Sequence, residues 1–226
     1  MPIQQSDFID YNRERWTDLV EAGIEFSRPF LDLNQTSARH VIDPQGMMGE
    51  HIGDLKSKAV LCLASGGGQQ SAAFGLLGAD VTVFDLTPAM LEQDRLAAEH
   101  HGYDVTIVQG DMRDLSMFAD NSFDVVWHAF SITFVPDVRP VLAEVERVLR
   151  PGGLYRIQWA NPFVSPLDET DWNGTGYPLR HFYEDAELVF DDTRWDVWDE
   201  AGNATKVEGP REFRHTMSTL INTMVG

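Results

Sequence analysis

The chain has 226 residues, 43% apolar and 23% charged, enough to bury one full core and near the length at which a second domain starts. Its formal charge of −19, from 36 acids against 17 Lys and Arg, repels a phosphate backbone and argues against nucleic acid as substrate or partner. The single cysteine, Cys62, excludes an intramolecular disulfide, and no apolar run approaches the roughly 18 residues of a membrane span. With no secretory pattern in MPIQQSDFID, the expected setting is the cytoplasm, without a membrane.

Phe8, Tyr11, Trp16, Leu19 and Val20 recur at near-helical spacing, which predicts an N-terminal helix before Gly23. Residues 27–57 read as mixed and turn-rich. A regular alternation follows: strand 59–64, helix 69–77, strand 81–85, then a helix in TPAMLEQDRLAAEHHG. Thr87 suits its N-cap, Pro88 its first position and Gly102 its stop. Strands 105–109 and 123–127 come next, then a helix around 137–149 with Val138, Val141, Leu142, Val145, Val148 and Leu149 on one face. Arg150-Pro151-Gly152-Gly153 breaks it before strand 154–159. Such alternation implies a mostly parallel sheet covered on both sides. Residues 161–210 are rich in Pro, Gly, Asp and aromatics, with a hairpin expected over 195–207 and its turn near Gly202-Asn203. The segment EFRHTMSTLINTMVG reads as a closing helix. The segment 161–210 is either a lid facing a substrate or a surface excursion whose aromatics pack on the sheet.

The chemistry concentrates in Lys58–Asp85. An apolar strand runs into Gly66-Gly67-Gly68, a small-residue helix follows, and a second apolar strand ends in Asp85. Glycine admits close backbone approach, the helix start offers free N–H groups, and an acid at the second strand's end accepts from ribose hydroxyls. Gly66, Gly68 and Ser71 nearly satisfy the dinucleotide fingerprint, so an NAD(P)-dependent oxidoreductase is one reading. Further on, the third strand ends in Val108-Gln109-Gly110-Asp111-Met112, the fourth reads Phe123-Asp124-Val125-Val126-Trp127, and a helix ends in VLRPGG before the fifth.

That series, over roughly Lys58–Ala160, resembles the class I S-adenosylmethionine-dependent methyltransferases of the small-molecule "methyltransferase domain 11/25" type. The resemblance implies a doubly wound, Rossmann-like α/β sheet of order 3-2-1-4-5. It would carry an N-terminal helical cap (1–57), a cofactor-binding core (58–160), a lid-like insertion after strand 5 (161–210) and a C-terminal helix (211–226). It also implies S-adenosylmethionine as cofactor and methyl transfer to an O, N or C atom of a small molecule. Ala64, Ser65, Gly66, Gly67 and Gly68 would wrap its methionine part, Asp85 would hold the ribose, and Leu86 and Met90 would face the adenine. Gly110, Asp111 and Met112 would serve the adenine edge, and His128, Ala129 and Phe130 would floor the site near the methyl group.

Two departures stand out. Where the family loop has an acid and a first glycine, this chain has Cys62 and Ala64; carbonyls of Leu63 or Ala64 remain to accept from an ammonium. The sixth and seventh strands are not visible in the sequence, so either the 195–207 hairpin covers the sheet edge or the edge pairs in a homodimer. These departures keep a catalytically silent cofactor-binding module as an alternative. His128 is the candidate general base. Tyr11 and Trp16 are candidate cap residues, and Trp172, Tyr177 and Tyr183, with Asp168, Glu169 and Asp171, are candidates for a cage around an amine acceptor. No His, Cys and acid cluster has metal-ligand spacing, so no metal is expected.

Overall fold

The computed structural model describes residues 5–163, 167, 171–178 and 182–225; Asp168 and Glu169 lie outside them. The central sheet has five parallel strands in the order β3-β2-β1-β4-β5: β1 (Ala59–Leu63), β2 (Asp80–Asp85), β3 (Val105–Gln109), β4 (Phe123–Ala129) and β5 (Leu149–Gln158). β1 lies between β2 and β4, with Val60 opposite Val81 on one side and Val125 on the other. Four consecutive apolar residues, Val60 to Leu63, are fully buried there, as a strand covered on both faces requires.

Alternate β1 side chains feed two cores. Leu61 and Leu63 join Phe84, Val126 and the apolar stripe of α6 (Arg139–Val148), with Leu220 of α7 (Met217–Val225) added. Val60 and Cys62 face Ala73 and Phe74 of α4 (Gln70–Leu76), Ala38 and Ile42 of α2 (Gln35–Ile42), and Trp127. Phe74 meets Trp127 edge to face at 5.2 Å. Each such side chain contributes roughly 1.5–3 kcal/mol by leaving water. α5 (Pro88–His101) starts with Pro88 in its first turn and ends at Gly102, whose φ of 73° is the left-handed cap conformation that glycine adopts freely.

Several boundaries differ from the sequence reading. The stretch 27–57 holds α2, started by an Asn34–Ser37 capping box, and the short α3 (Gly49–Ile52); each is too short for its periodicity to stand out. Leu149 already pairs with Phe123, and after an irregularity the strand resumes with Leu154 opposite Val125, so the Arg-Pro-Gly-Gly break lies within β5. Glu212–Arg214 is a strand, β9, antiparallel to β6 (Ala186–Leu188), and the closing helix begins only at Met217. Pairing with β6 and the burial of Phe213 hold this segment extended.

The expected hairpin is present as β7 (Arg194–Trp198) and β8 (Ala204–Glu208). It packs on α1 (Gln5–Glu21) through Leu19, Trp16, Val197, Trp195 and Val207 and forms a two-stranded sheet of its own rather than extending the central sheet. Among the described residues β5 pairs only with β4.

Candidate functional site

A cleft of about 490 Å3 opens at the C-terminal ends of β1, β2, β3 and β4, where an open α/β sheet binds its ligands. Its floor includes Ala64, Ser65, Gly66, Asp85, Leu86, Met90, Gly110, Asp111 and Met112. Its far end is formed by Ala129, Phe130, Ser131 and Phe134, and α1 roofs it with Phe8, Ile9, Asn12 and Trp16. Two of the lining residues, Ala64 (φ 44°) and Phe130 (φ 55°), hold left-handed backbone that glycine favours. Ala64 thus occupies a glycine-like turn although it carries a methyl group.

The loop leaves no room for side chains. A Cβ on Gly66 would lie 2.6 Å from Met90 Cβ and 2.9 Å from Asp85 Oδ2, and one on Gly67 would lie 2.7 Å from the Phe26 carbonyl. Across the cleft, a Cβ on Gly110 would lie 2.4 Å from the Phe84 ring. Asp85 Oδ2 accepts from Gly66 N at 3.1 Å and Oδ1 from Thr87 N at 2.9 Å, leaving acceptor capacity on both oxygens. Burial outweighs these donors and pushes its carboxyl up to about 6.

A second buried carboxylate sits behind the loop. Asp94 of α5 accepts from Gly67 N at 3.2 Å, from Gly68 N at 3.0 Å and from the Ser71 hydroxyl at 2.5 Å. Burial pushes it up to about 7 despite these donors. The loop is pinned on its other side by the Gln69 amide, which donates to the carbonyls of Glu25 and Arg28.

The roof is tied down at three places. Asn12 is buried; its amide donates to the Arg211 carbonyl at 3.2 Å and its Oδ1 accepts from Arg211 N at 2.8 Å. Arg113 lies 4.8 Å over the Phe8 ring and grips Asp111 through Nε and Nη2. Trp16 meets Phe134 at 5.3 Å and Trp195 at 5.7 Å, both edge to face.

Most of the residues singled out in the sequence line this cleft; some do not. Gly67 and Gly68 turn their N–H groups to Asp94 and shape the loop from behind. His128 lies wholly inside the core, with Nδ1 3.0 Å from the Tyr155 hydroxyl, and burial pushes its imidazole down to about 3. β4's pleat turns it into the protein, so it has no path to a substrate proton. Tyr11 borders a neighbouring cavity. Trp172 and Tyr177 face each other at 5.1 Å, and Tyr183 stacks on Phe163 at 4.5 Å while its hydroxyl accepts from Met217 N, all away from the cleft. Sequence reasoning missed Asp94, Asn12, Ser131, Trp195 and Glu212. Only the acid at Asp94, one helical turn after Met90 on the same face, carried a usable signal.

The donor set fits S-adenosylmethionine. The glycine cradle admits backbone-close binding, Asp85 retains acceptor capacity, and the Ser65 and Ser131 hydroxyls are buried in the cleft wall without a hydrogen-bond partner, an arrangement that a polar ligand resolves. Cys62 plays no such part: it is fully buried, and burial raises its thiol well above the usual range.

A family model described as Methyltransferase domain matches residues 61–157. The uncharacterized methyltransferase YbaJ of Bacillus subtilis is 46% identical over 166 residues, covering 71% of this chain and 65% of that protein. A demethylmenaquinone methyltransferase of Thermobifida fusca is 36% identical over 159 residues, 66% of each chain. One of Renibacterium salmoninarum is 33% identical over 51% of this chain and 47% of its own length. The chain thus spans between about half and two thirds of these relatives. Among solved structures, an S-adenosylmethionine-dependent methyltransferase from Mesorhizobium loti superposes with a TM-score of 0.61 at 18% identity, covering 87% of this chain and 81% of that one. Another from Clostridium acetobutylicum gives 0.59 at 16% identity over 85% and 80%. At such identities the likeness is one of fold. Strand order, glycine cradle and matched segment agree: through its 61–157 core, the chain belongs to the class I S-adenosylmethionine-dependent methyltransferases.

Proposed function

We propose that the protein transfers a methyl group from S-adenosylmethionine to an O, N or C atom of a small-molecule acceptor, in the cytoplasm. The observation that carries this reading is the cleft at the C-terminal strand ends, lined by Gly66, Asp85 and Gly110 and bounded by Phe130 and Ser131. Bound there, S-adenosylmethionine supplies an already activated methyl on a sulfonium, so alignment and exclusion of water are the protein's task.

Each part of the cleft then has a role. Asp85 accepts from a vicinal pair of hydroxyls with one lone pair on each oxygen. Leu86, Met90 and Met112 supply flat apolar walls, and the Ser65 hydroxyl donates or accepts at the loop end. Asp111 is held by Arg113, so it recognises an amine only by sharing its oxygens with that guanidinium. α1 and Trp195 cover the cleft and keep it dry. Two of the relatives are named demethylmenaquinone methyltransferases. The outer edge of β5, unpaired among the described residues, is the edge through which we propose a homodimer would form.

Calorimetry with S-adenosylhomocysteine tests the reading. Binding accompanied by a rise in melting temperature supports it. Binding of NAD(P) in its place would assign hydride transfer, and no binding of either would leave a non-enzymatic interaction module.

A further inference from the structure

A second cavity, about 680 Å3, adjoins the cleft and shares three of its walls: Phe26, Trp195 and Glu212. Among the described residues, Glu212 is the one carboxylate common to both spaces. Its backbone is fixed from either side: Arg211 N is held by Asn12, and the Phe213 carbonyl accepts from the Thr133 hydroxyl at 3.0 Å. Strand alternation sends Phe213 into the core against Phe8 and leaves Glu212 on the cavity side.

Its carboxylate makes no hydrogen bond or ion pair with the described residues, and burial is the one influence on it. The nearest guanidinium in sequence, Arg211, is engaged bidentately with Glu187 at 2.5 and 2.7 Å. Burial pushes the Glu212 carboxyl up to about 7. Phe26 and Trp195 line both spaces with it, and Trp195 lies 6.4 Å from both Phe26 and Phe134. Beyond them lies the Ser131 hydroxyl, buried and unpartnered in the same cleft.

We propose that the second cavity is the entrance for the methyl acceptor, that the acceptor carries an amine, and that Glu212 receives its ammonium at the seam with the cofactor cleft. An unpaired carboxylate in a seam shared with Phe26 and Trp195 is complementary to an ammonium: the carboxylate supplies the opposite charge and an aromatic ring adds cation–π attraction. One N–H proton passes from the ammonium to the Glu212 carboxylate, giving a neutral amine and a protonated side chain. The nitrogen lone pair so released is what an N-methylation needs. This assignment rests on the methyltransferase reading only for the last point; the ammonium site itself does not depend on it.

Phenethylamine is the probe and 2-phenylethanol its uncharged counterpart, titrated calorimetrically into the full chain with and without saturating S-adenosylhomocysteine. Phenethylamine should bind the wild type and lose about tenfold or more in affinity in Glu212→Gln, while 2-phenylethanol binds weakly and equally to both. Glu212→Gln removes no partner, so an unchanged melting temperature certifies its fold. Equal binding of phenethylamine to both proteins, equal binding of the alcohol and the amine to the wild type, or no amine binding at all overturns the proposal. Failure of S-adenosylhomocysteine alone to bind overturns the cofactor reading and leaves the amine result standing by itself.

Discussion

The carboxylate of Asp94 accepts the backbone N–H of Gly68 at 3.0 Å across 26 residues of chain, so the glycine loop is shaped by a helix that begins after the next strand. Removing that carboxylate in Asp94→Ala leaves the N–H groups of Gly67 and Gly68 and the hydroxyl of Ser71 without acceptors. An orphaned buried donor costs about 1–3 kcal/mol, and relaxation of the loop shares part of that loss. A destabilisation of about 3 kcal/mol in urea unfolding is expected, together with weaker S-adenosylhomocysteine binding. A change under 1 kcal/mol, roughly the size of a surface substitution, would show that the loop holds its shape without the helix.

Asp94 also sets a pH dependence. Its carboxyl is pushed up to about 7 in the folded protein, against about 3.9 when unfolded. A raised group contributes stability that is complete below the unfolded value and is lost as pH rises through the folded one. His128 and His215, which burial pushes down, act in the opposite direction below about pH 6.5, so the wild-type profile alone does not isolate Asp94. The gap in stability between wild type and Asp94→Asn isolates it. That gap should move by about 1–2 kcal/mol in favour of the wild type between about pH 7.5 and 5.5, as read by thermal unfolding in matched buffers.

Ala64→Gly should stabilise the protein. Alanine at φ 44° costs about 1–2 kcal/mol relative to its preferred regions, and glycine returns about 0.5–1 kcal/mol through its greater freedom when unfolded. The expected gain is about 0.5–1 kcal/mol, seen as a higher urea midpoint with an unchanged slope.

Gly66→Ala tests the cradle without that strain, since Gly66 is outside the left-handed region. The added methyl would meet Met90 Cβ and Asp85 Oδ2 on the cleft side of the loop. S-adenosylhomocysteine affinity should fall about tenfold or more, about 1.4 kcal/mol, by calorimetry on a protein that still unfolds cooperatively.

His128 supplies a spectroscopic check. With its imidazole pushed down to about 3, its ring resonances should not move between about pH 5.5 and 8. A titration near the usual histidine value would put it in contact with solvent and return it to the list of candidate bases.

The order of β1 to β5 and the position of the cleft were legible because they rest on local signals. Apolar runs, Pro88 and Gly102 mark the elements, and Gly66 and Gly110 stand where only a hydrogen fits. The partner of the adjoining Gly67 and Gly68 was not legible, because Asp94 reaches them only once α4 and α5 pack together. Glu212 was misread for a different reason. EFRHTMSTLINTMVG is continuous with a helical run, and only β6, some 25 residues upstream, holds its first residues extended. His128 was placed in the cleft by its nearness to the end of β4, where one step of the pleat decides between cleft and core. The aromatic residues Trp172 and Tyr177 announce burial or binding by composition, but composition carries no direction.

The clasp between Asn12 and Arg211 joins residues 199 apart in sequence. Every strand of the sheet can pair before that link forms, because none of them depends on it, and the entropy of closing so long a loop delays it further. The roof over the cleft should therefore assemble last in folding and open first in hydrogen exchange. A protease cut near the C-terminus would loosen a helix at the opposite end of the chain. Ligand entry and the first step of unfolding would then share one motion, which a bound ligand would suppress.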